Sequence, residues 1–288
     1  MSMDTHSKKF LDKIELLSKN HDTIDICRDF VLFAATSLSN QSDLHWGHYS
    51  KDVWRKREDL FLEHKKKYAK DEFAVFSEMF AIMTIALDEN SKQDFLGDIY
   101  NHLGLINHRN GQHLTPFFLS MLIAEMQGQD LIAKTQTLGK VRVGDECCGS
   151  GSMLIAMANF AKDNSINYQS KLIFVGQDID WFMGLSCYIQ LSLLGCSGYI
   201  RIADTLKDPI GNADFMSENV WVFPMSKIQL PRKELCLVNQ AELENVCREF
   251  VDYYRKNKDK LPPEVQEGSY AERLKKSYPI HPEIFDRL

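Results

Sequence analysis

The first third of the chain carries apolar residues at the spacing of α-helices. One stripe contains Ile24, Cys27, Phe30, Val31 and Leu38, and another contains Phe73, Phe76, Met79, Phe80, Met83 and Leu87. Residues three or four positions apart lie on one face of a helix, so residues 8–100 are predicted to be helical. We therefore place an N-terminal helical domain at residues 1–105.

The segment between the two stripes, residues 54–68, mixes lysine and arginine with glutamate. Interleaved charges of this kind are typical of a helix face in water. Contact with phosphate groups is the alternative that this basic stretch leaves open.

The pattern changes after position 140, where short apolar runs at 141–145, 171–178 and 199–202 have the length of strands. Two helical patterns separate them, one from Met153 to Phe160 and one formed by Phe182, Leu185, Ile189 and Leu193. Strands that alternate with helices predict an α/β fold with a parallel sheet. We place this domain at residues 106–230.

The remaining residues, 231–288, are predicted to form a C-terminal helical tail. Its stripe consists of Leu243, Val246, Cys247, Phe250, Val251 and Tyr254, and Pro262 and Pro263 end it. Because little chain is left for further strands, the sheet is expected to be incomplete on this side. An exposed sheet edge is commonly covered, so another polypeptide is expected there.

Each predicted strand ends in a carboxylate: Asp145, Asp178 and Asp204. The first strand also leads into a tight turn that contains Gly149 and Gly151, and a helix follows. Glycine has no Cβ and adopts positive φ readily, so a small molecule can approach this backbone closely. Ligands of open α/β sheets bind at the carboxyl ends of the strands, where an acid often accepts hydrogen bonds from a ribose. These residues predict a site for an adenosine-type ligand.

The composition argues against a membrane protein, a secreted protein and a cysteine metal site, and it indicates no binding site beyond the one at the strand ends. The net charge is −6, so no overall positive field attracts nucleic acid. No apolar run has the length of a membrane span, and the first residues lack the apolar core of a signal peptide. We expect a cytoplasmic protein without contact to a membrane. The seven cysteines form no Cys-x-x-Cys pair, which favours reduced thiols over a metal site.

Four motifs, taken in order, resemble those of N6-adenine DNA methyltransferases. The segment from Asp145, Asp-Glu-Cys-Cys-Gly-Ser-Gly-Ser-Met-Leu-Ile, resembles their Asp-Pro-Ala-Cys-Gly-Ser-Gly-Gly-Met-Leu-Ile signature, with Glu146 in place of proline. Residues 111–116 (Gly-Gln-His-Leu-Thr-Pro), 176–180 (Gly-Gln-Asp-Ile-Asp) and 202–206 (Ile-Ala-Asp-Thr-Leu) are similar to the family's other motifs. The resemblance covers roughly residues 70–225. Within the family, the chain looks most like modification subunits of type I restriction systems and short relatives on mobile elements.

The resemblance implies a Rossmann-like, S-adenosylmethionine (SAM)-dependent methyltransferase sheet behind an N-terminal helical domain that helps to bind DNA or partner subunits. SAM is then the cofactor, with Thr115, Asp145 and the turn at 147–151 at its methionine end. This assignment includes Cys147, Gly149 and Gly151. Asp178 is implied to bind the ribose and Asp204 the adenine amino group. The implied partners are DNA and a specificity or other subunit.

The catalytic motif departs from the family pattern. In the family, Asn-Pro-Pro followed by an aromatic residue accepts the hydrogens of the adenine amine and stacks on the flipped base. The best alignment places Val222-Phe223-Pro224-Met225 there, and only the proline matches. The candidate catalytic residues are therefore Pro224, Phe223, Trp221 and Asn219.

Two functions agree with this sequence. The first is a SAM-dependent DNA adenine-N6 methyltransferase of a restriction-modification or mobile-element system with a degenerate catalytic motif. The alternative is a catalytically silent SAM- or nucleotide-binding protein that acts as an accessory or interaction partner. A dinucleotide oxidoreductase is disfavoured, because Leu154 occupies the position of the third glycine of Gly-x-Gly-x-x-Gly.

Overall fold

The computed structural model describes residues 4–46, 50–106, 113–210 and 214–229. The predicted C-terminal helical tail and the first two residues of the Gly-Gln-His-Leu-Thr-Pro motif lie outside these ranges. The helices are α1 (Thr5–Leu17), α2 (Thr23–Trp46), α3 (Lys51–Lys65), α4 (Lys70–Glu89), α5 (Phe95–His102), α6 (Phe117–Leu138), α7 (Ser152–Asp163), α8 (Tyr168–Lys171), α9 (Trp181–Leu193) and α10 (Pro224–Gln229). The strands are β1 (Val141–Asp145), β2 (Leu172–Asp178), β3 (Ser197–Ile202) and β4 (Val220–Val222).

The N-terminal helices begin at polar caps and pack through aromatic rings. Asp4 caps α1 by accepting hydrogen bonds from the backbone of His6 and Ser7, and the side chain of Ser50 caps α3. The two apolar stripes predicted from the sequence fall on α2 and α4. Phe33 of α2 makes edge-to-face contacts with four rings, those of Phe61, Tyr68, Phe73 and Phe76.

The basic stretch predicted as a solvated face lies mainly on α3, with one departure. Arg57 is buried, and its guanidinium donates to the backbone oxygens of Glu218 and Val220 at 3.1 and 2.8 Å. It also lies 3.7 Å from the ring centroid of Trp221. Arg57 therefore connects α3 to the β4 segment and does not face water.

The sheet confirms the prediction of an α/β fold and contains, in addition to the three predicted strands, a fourth strand that is antiparallel. Its strand order is β1-β2-β3-β4, with β1, β2 and β3 parallel and β4 antiparallel to β3. In a doubly wound sheet the fourth strand instead lies parallel on the far side of the first. Within the described residues no strand pairs with that side of β1. Arg142 and Gly144, which lie on one face of this strand, are exposed.

The two faces of the sheet are covered in different ways. Helices α7 and α9 cover one face, where Phe174 of β2 joins the main core. On the other face, Val175 and Tyr199 pack against Ile210 and Val220, so the segment between β3 and β4 acts as the cover. Helix α2 packs on α9, and one apolar core runs from the N-terminal helices to the sheet. None of the described helices is long and apolar enough to cross a membrane.

Candidate functional site

The carboxyl ends of β1 and β2 bring Asp145 and Asp178 to the residues that we call the glycine turn, 147–151. The two strands are paired so that Asp145 is opposite Gly176. The amide of Gly149 donates to Oδ2 of Asp178 at 2.8 Å, and the amide of Cys147 donates to Oδ1 of Asp145 at 3.1 Å. Both carboxylates therefore contact the glycine turn directly.

The glycine turn has a conformation that glycine is needed to adopt. Gly149 has φ +52° and Gly151 has φ +103°, and Gly151 is the N-cap of α7. A Cβ at Gly151 would lie 2.8 Å from Sγ of Cys187, and a Cβ at Gly149 would lie 3.2 Å from a methyl carbon of Leu114. The turn is therefore a strip of bare backbone at the N-terminus of a helix, which suits close approach by a ligand.

The electrostatics of this corner favour a cationic ligand. Burial raises the pKa of Asp178, and the nearby charge of Asp180 raises it further. Burial likewise raises the pKa of Asp145, with contributions from Asp178 and Glu146. Carboxylates that are partly desolvated and close together gain most from a positive charge placed beside them.

Cys147 is an exposed member of the glycine turn. The slight desolvation that its sulfur retains, together with the neighbouring carboxylates Asp178 and Asp145, raises the pKa of its thiol, so it stays protonated near neutral pH. Cys147 therefore offers an uncharged surface group at the site. The described cysteines Cys27, Cys147, Cys148, Cys187 and Cys196 are all free.

Asp204 follows β3 at the same edge of the sheet. Its segment is tied to the site by two hydrogen bonds, from the Ala203 amide to the Asp178 carbonyl at 2.9 Å and from Oγ1 of Thr205 to the Glu146 carbonyl at 2.7 Å. Asp204 itself pairs with Lys207 at 3.1 Å, and this hydrogen bond lowers its pKa. It is therefore a half-buried, ionised acid at the outer margin of the site.

Thr115 lies beside the glycine turn, on the segment that leads into α6. Its carbonyl accepts a hydrogen bond from Oγ of Ser152 at 3.3 Å, and that hydroxyl also bonds Oγ of Ser120 at 2.8 Å. Ser152 is the first residue of α7. The structure therefore places Thr115, Asp145, Asp178 and Asp204 around the turn. Their role in binding a cofactor stays a prediction.

The four candidate catalytic residues are placed differently. Asn219 is at the same edge, where its Nδ2 donates to the Ile202 carbonyl at 3.3 Å. Because β4 is antiparallel to β3, each later residue lies farther from that edge, and the Phe223 amide bonds the Gly198 carbonyl near the start of β3. Pro224 begins α10 there. Trp221, Phe223 and Pro224 are thus not brought to the carboxylates.

Burial also argues against a stacking role for the two aromatic candidates. Phe223 is 0% exposed and stacks on Tyr188, with centroids 5.7 Å apart and planes 16° apart. Trp221 is 6% exposed, its ring makes an edge-to-face contact with Tyr188, and the guanidinium of Arg57 lies over it. Protein groups occupy the ring faces that a flipped base would need, so in this conformation both rings are part of the core.

Two buried polar residues behind the glycine turn, Asp94 and Gln190, were not predicted from the sequence, and both hydrogen-bond to Ser150 within the turn. Asp94, Ser150 and Gln190 hydrogen-bond to one another, although they are far apart in the chain. One signal was available: Gln190 interrupts the apolar run of α9, and a buried amide in such a position requires a polar partner. The identity of the partner depends on tertiary structure.

Comparison with known proteins adds one finding. Residues 91–225 match the family model described as N-6 DNA Methylase, a region that runs from the segment before α5 into α10. It contains the carboxylates, the glycine turn and all four candidate catalytic positions. No curated protein matches the chain. Among the described residues, no group of three or more histidine, cysteine, aspartate or glutamate side chains is arranged to hold a metal ion.

Proposed function

Residues 91–225 belong to the N-6 DNA methylase family, and we propose that this chain binds SAM at the carboxyl edge of β1 and β2 for the methylation of adenine N6 in DNA. The observation that carries the proposal is the contact between Asp178 and the glycine turn. This contact joins an acceptor for ribose hydroxyls to a backbone that a ligand can approach closely.

The side chains at this edge fit the chemical groups of SAM. Each oxygen of Asp178 already accepts one amide, from Gly149 or Asp180, which fixes the carboxylate while leaving capacity for ribose hydroxyls. Asp145 lies on the neighbouring strand, where its charge suits the ammonium and sulfonium groups. Two apolar side chains, Ile179 at 71% exposed and Leu206 at 95% exposed, offer surface to an adenine ring.

SAM would supply a methyl group on a positively charged sulfur. The contribution of this chain is to bind the cofactor, to hold Asp145 and Asp178 toward its charged and hydroxyl groups, and to orient it through the glycine turn. Positioning of this kind accounts for much of the acceleration when a methyl group is transferred in line to an amine.

One observation favours the alternative function, a SAM-binding protein that does not methylate by itself. Trp221 and Phe223 are buried, and Pro224 lies near the opposite end of β3. Of the four candidates only Asn219 is at the cofactor edge, and its amide already bonds the backbone. If the chain is such an accessory protein, a partner would supply the groups that accept the hydrogens of the adenine amine.

DNA and a specificity or other subunit are the proposed partners. The family supports DNA as the substrate. The unpaired outer side of β1 within the described residues supports a second polypeptide, because an open sheet edge with unpaired backbone groups is commonly covered. A cytoplasmic location remains a prediction from the sequence.

Titration calorimetry tests the cofactor assignment. We expect SAM to bind the wild-type chain, and Asp178→Ala to weaken the affinity about tenfold or more, because hydrogen bonds to a charged group are lost. The matched control is Asp163→Ala, which removes a carboxylate at the far end of α7 that pairs with Lys92. Equal affinities of the wild type and Asp178→Ala would remove Asp178 from the site.

Catalysis needs a separate measurement. The chain would be expressed in a methylation-deficient host, alone and together with a candidate subunit, and the DNA sequenced for modified bases. N6-methyladenine produced by the chain alone would support the methyltransferase. SAM binding without any N6-methyladenine would support the accessory function.

A further inference from the structure

A buried carboxylate lies directly behind the glycine turn. Asp94, only 3% exposed, is the N-cap of α5 and accepts the amide of Gly97 at 3.0 Å. The hydroxyl of Ser150, in the turn, donates to Oδ2 of Asp94. A side chain from the helical segment before the sheet therefore reaches the ligand-binding backbone.

Gln190 of α9 closes this network. Its Nε2 donates both to Oδ1 of Asp94 at 2.8 Å and to the carbonyl of Ser150 at 2.9 Å, and its Oε1 accepts the amide of Leu96 at 3.2 Å. Ser150 is consequently held at its hydroxyl and at its carbonyl. Every polar side-chain atom of the three residues has a partner.

The packing around the network is tight. A Cβ at Gly97 would lie 2.3 Å from Oδ2 of Asp94 and 2.7 Å from Oγ of Ser150, so even a methyl group has no room there. Burying a carboxylate is costly unless hydrogen bonds compensate it. The burial of Asp94 raises its pKa, which is the signature of this cost. These hydrogen bonds provide that compensation, and they join the start of α5 to the glycine turn and to α9.

We propose that Asp94 and Gln190 are positioning residues that hold the glycine turn in its ligand-binding conformation. The turn needs such support, because Ser150 lies between two glycines with positive φ, and glycine backbones are loose unless they are anchored. Anchoring Ser150 keeps the amide of Gly149 on Asp178. The identity of the ligand as SAM rests on the function proposed above, whereas the anchoring of the turn does not.

The test compares Ser150→Ala, Asp94→Ala and the nearly isosteric Asp94→Asn. The matched control is Asn159→Ala: Asn159 is also buried and also joins α7 to the segment before α5, through hydrogen bonds to Ser91 at 2.7 and 2.8 Å. It lies about two helical turns from the glycine turn. Because Ser150→Ala and Asp94→Asn change few atoms, the test does not depend on Asp94→Ala folding.

Two quantities are measured for each variant: hydrogen exchange of peptides covering residues 145–152 in the ligand-free protein, and the dissociation constant for SAM. We expect exchange in the turn to quicken and SAM affinity to fall about three- to tenfold in Ser150→Ala and Asp94→Ala. The smaller effect of Asp94→Asn and the absence of either change in Asn159→Ala would distinguish positioning from general loss of stability. The double variant Asp94→Ala/Ser150→Ala should lose no more than the larger single effect, because both changes break one network.

The outcomes separate this inference from the proposed function. Unchanged exchange in Ser150→Ala, or equal changes in Asn159→Ala, would overturn the positioning role even if SAM binds. Faster exchange confined to the network variants would support the positioning role even if the wild type does not bind SAM, and the cofactor assignment would then be the part that fails.

Discussion

Replacing Gly151 by alanine tests how closely the glycine turn is fitted to the helices behind it. Gly151 has φ +103°, a region that costs an L-residue about 1–2 kcal/mol. The added methyl group would also lie 2.8 Å from Sγ of Cys187 and 3.4 Å from its Cα, and overpacking in a core typically costs about 1–3 kcal/mol. We therefore expect the free energy of unfolding to fall by about 2–5 kcal/mol.

Two further variants separate the backbone strain from the close contact with Cys187. Gly139 has φ +77°, and a Cβ there would meet no heavy atom within 4 Å, so Gly139→Ala should show the backbone strain alone, about 1–2 kcal/mol. In a Cys187→Ala background the sulfur is absent, so Gly151→Ala should there cost about as much as Gly139→Ala does.

Urea unfolding followed by circular dichroism gives these free energies, provided that the slopes of the transitions agree. The contact with Cys187 would be refuted if Gly151→Ala and Gly139→Ala were destabilised equally in the wild-type background. It would also be refuted if the Cys187→Ala background did not reduce the cost of Gly151→Ala.

Two other predictions follow from the same structure. Arg57→Ala removes buried hydrogen bonds to the β4 backbone and the cation over Trp221, and should lower the free energy of unfolding by about 2–4 kcal/mol in urea unfolding. The exposed control Arg55→Ala should stay within about 0.5 kcal/mol of the wild type, and equal effects of the two variants would contradict the role of Arg57 in connecting α3 to the β4 segment. Because burial raises the pKa of Asp145 and Asp178, the folded chain holds their protons to a higher pH than the unfolded chain does. The ligand-free protein should therefore lose stability as pH rises through the range in which these two carboxylates ionise. Calorimetry should show SAM affinity rising over the same range, because the ionised carboxylates attract the cation. A SAM affinity that does not change with pH, or one that changes equally steeply in Asp178→Asn, would contradict the role of these acids.

The carboxylates and the glycine turn could be identified from sequence because the signals are local. An apolar run of strand length followed by an acid places Asp145 and Asp178 at strand ends, and parallel strands bring their carboxyl ends to one edge. Gly149 and Gly151 stand four and six residues after Asp145, so the short chain between them keeps the turn close to that carboxylate. The same local reasoning located the apolar stripes that fall on α2 and α4.

The path of the chain after Asp204 could not be obtained in this way. A three-residue strand such as Val220–Val222 has the same pattern whether it pairs on one side of a sheet or the other, and in either direction. Its partner is selected by contacts with distant residues, among them the hydrogen bonds of Arg57, which lies more than 160 positions earlier. Trp221 and Phe223 are buried because β4 pairs antiparallel with β3.

The hydrogen bonds among Asp94, Ser150 and Gln190 likewise could not be predicted from local sequence. Asp94 is 56 positions from Ser150 and 96 from Gln190. Periodicity relates residues within one helix or strand, whereas a hydrogen bond between elements depends on how helices pack around a core. The acids and glycines at the edge of the sheet could therefore be located from the order of residues, whereas the hydrogen bonds that join Asp94 and Gln190 to the glycine turn depend on the tertiary structure.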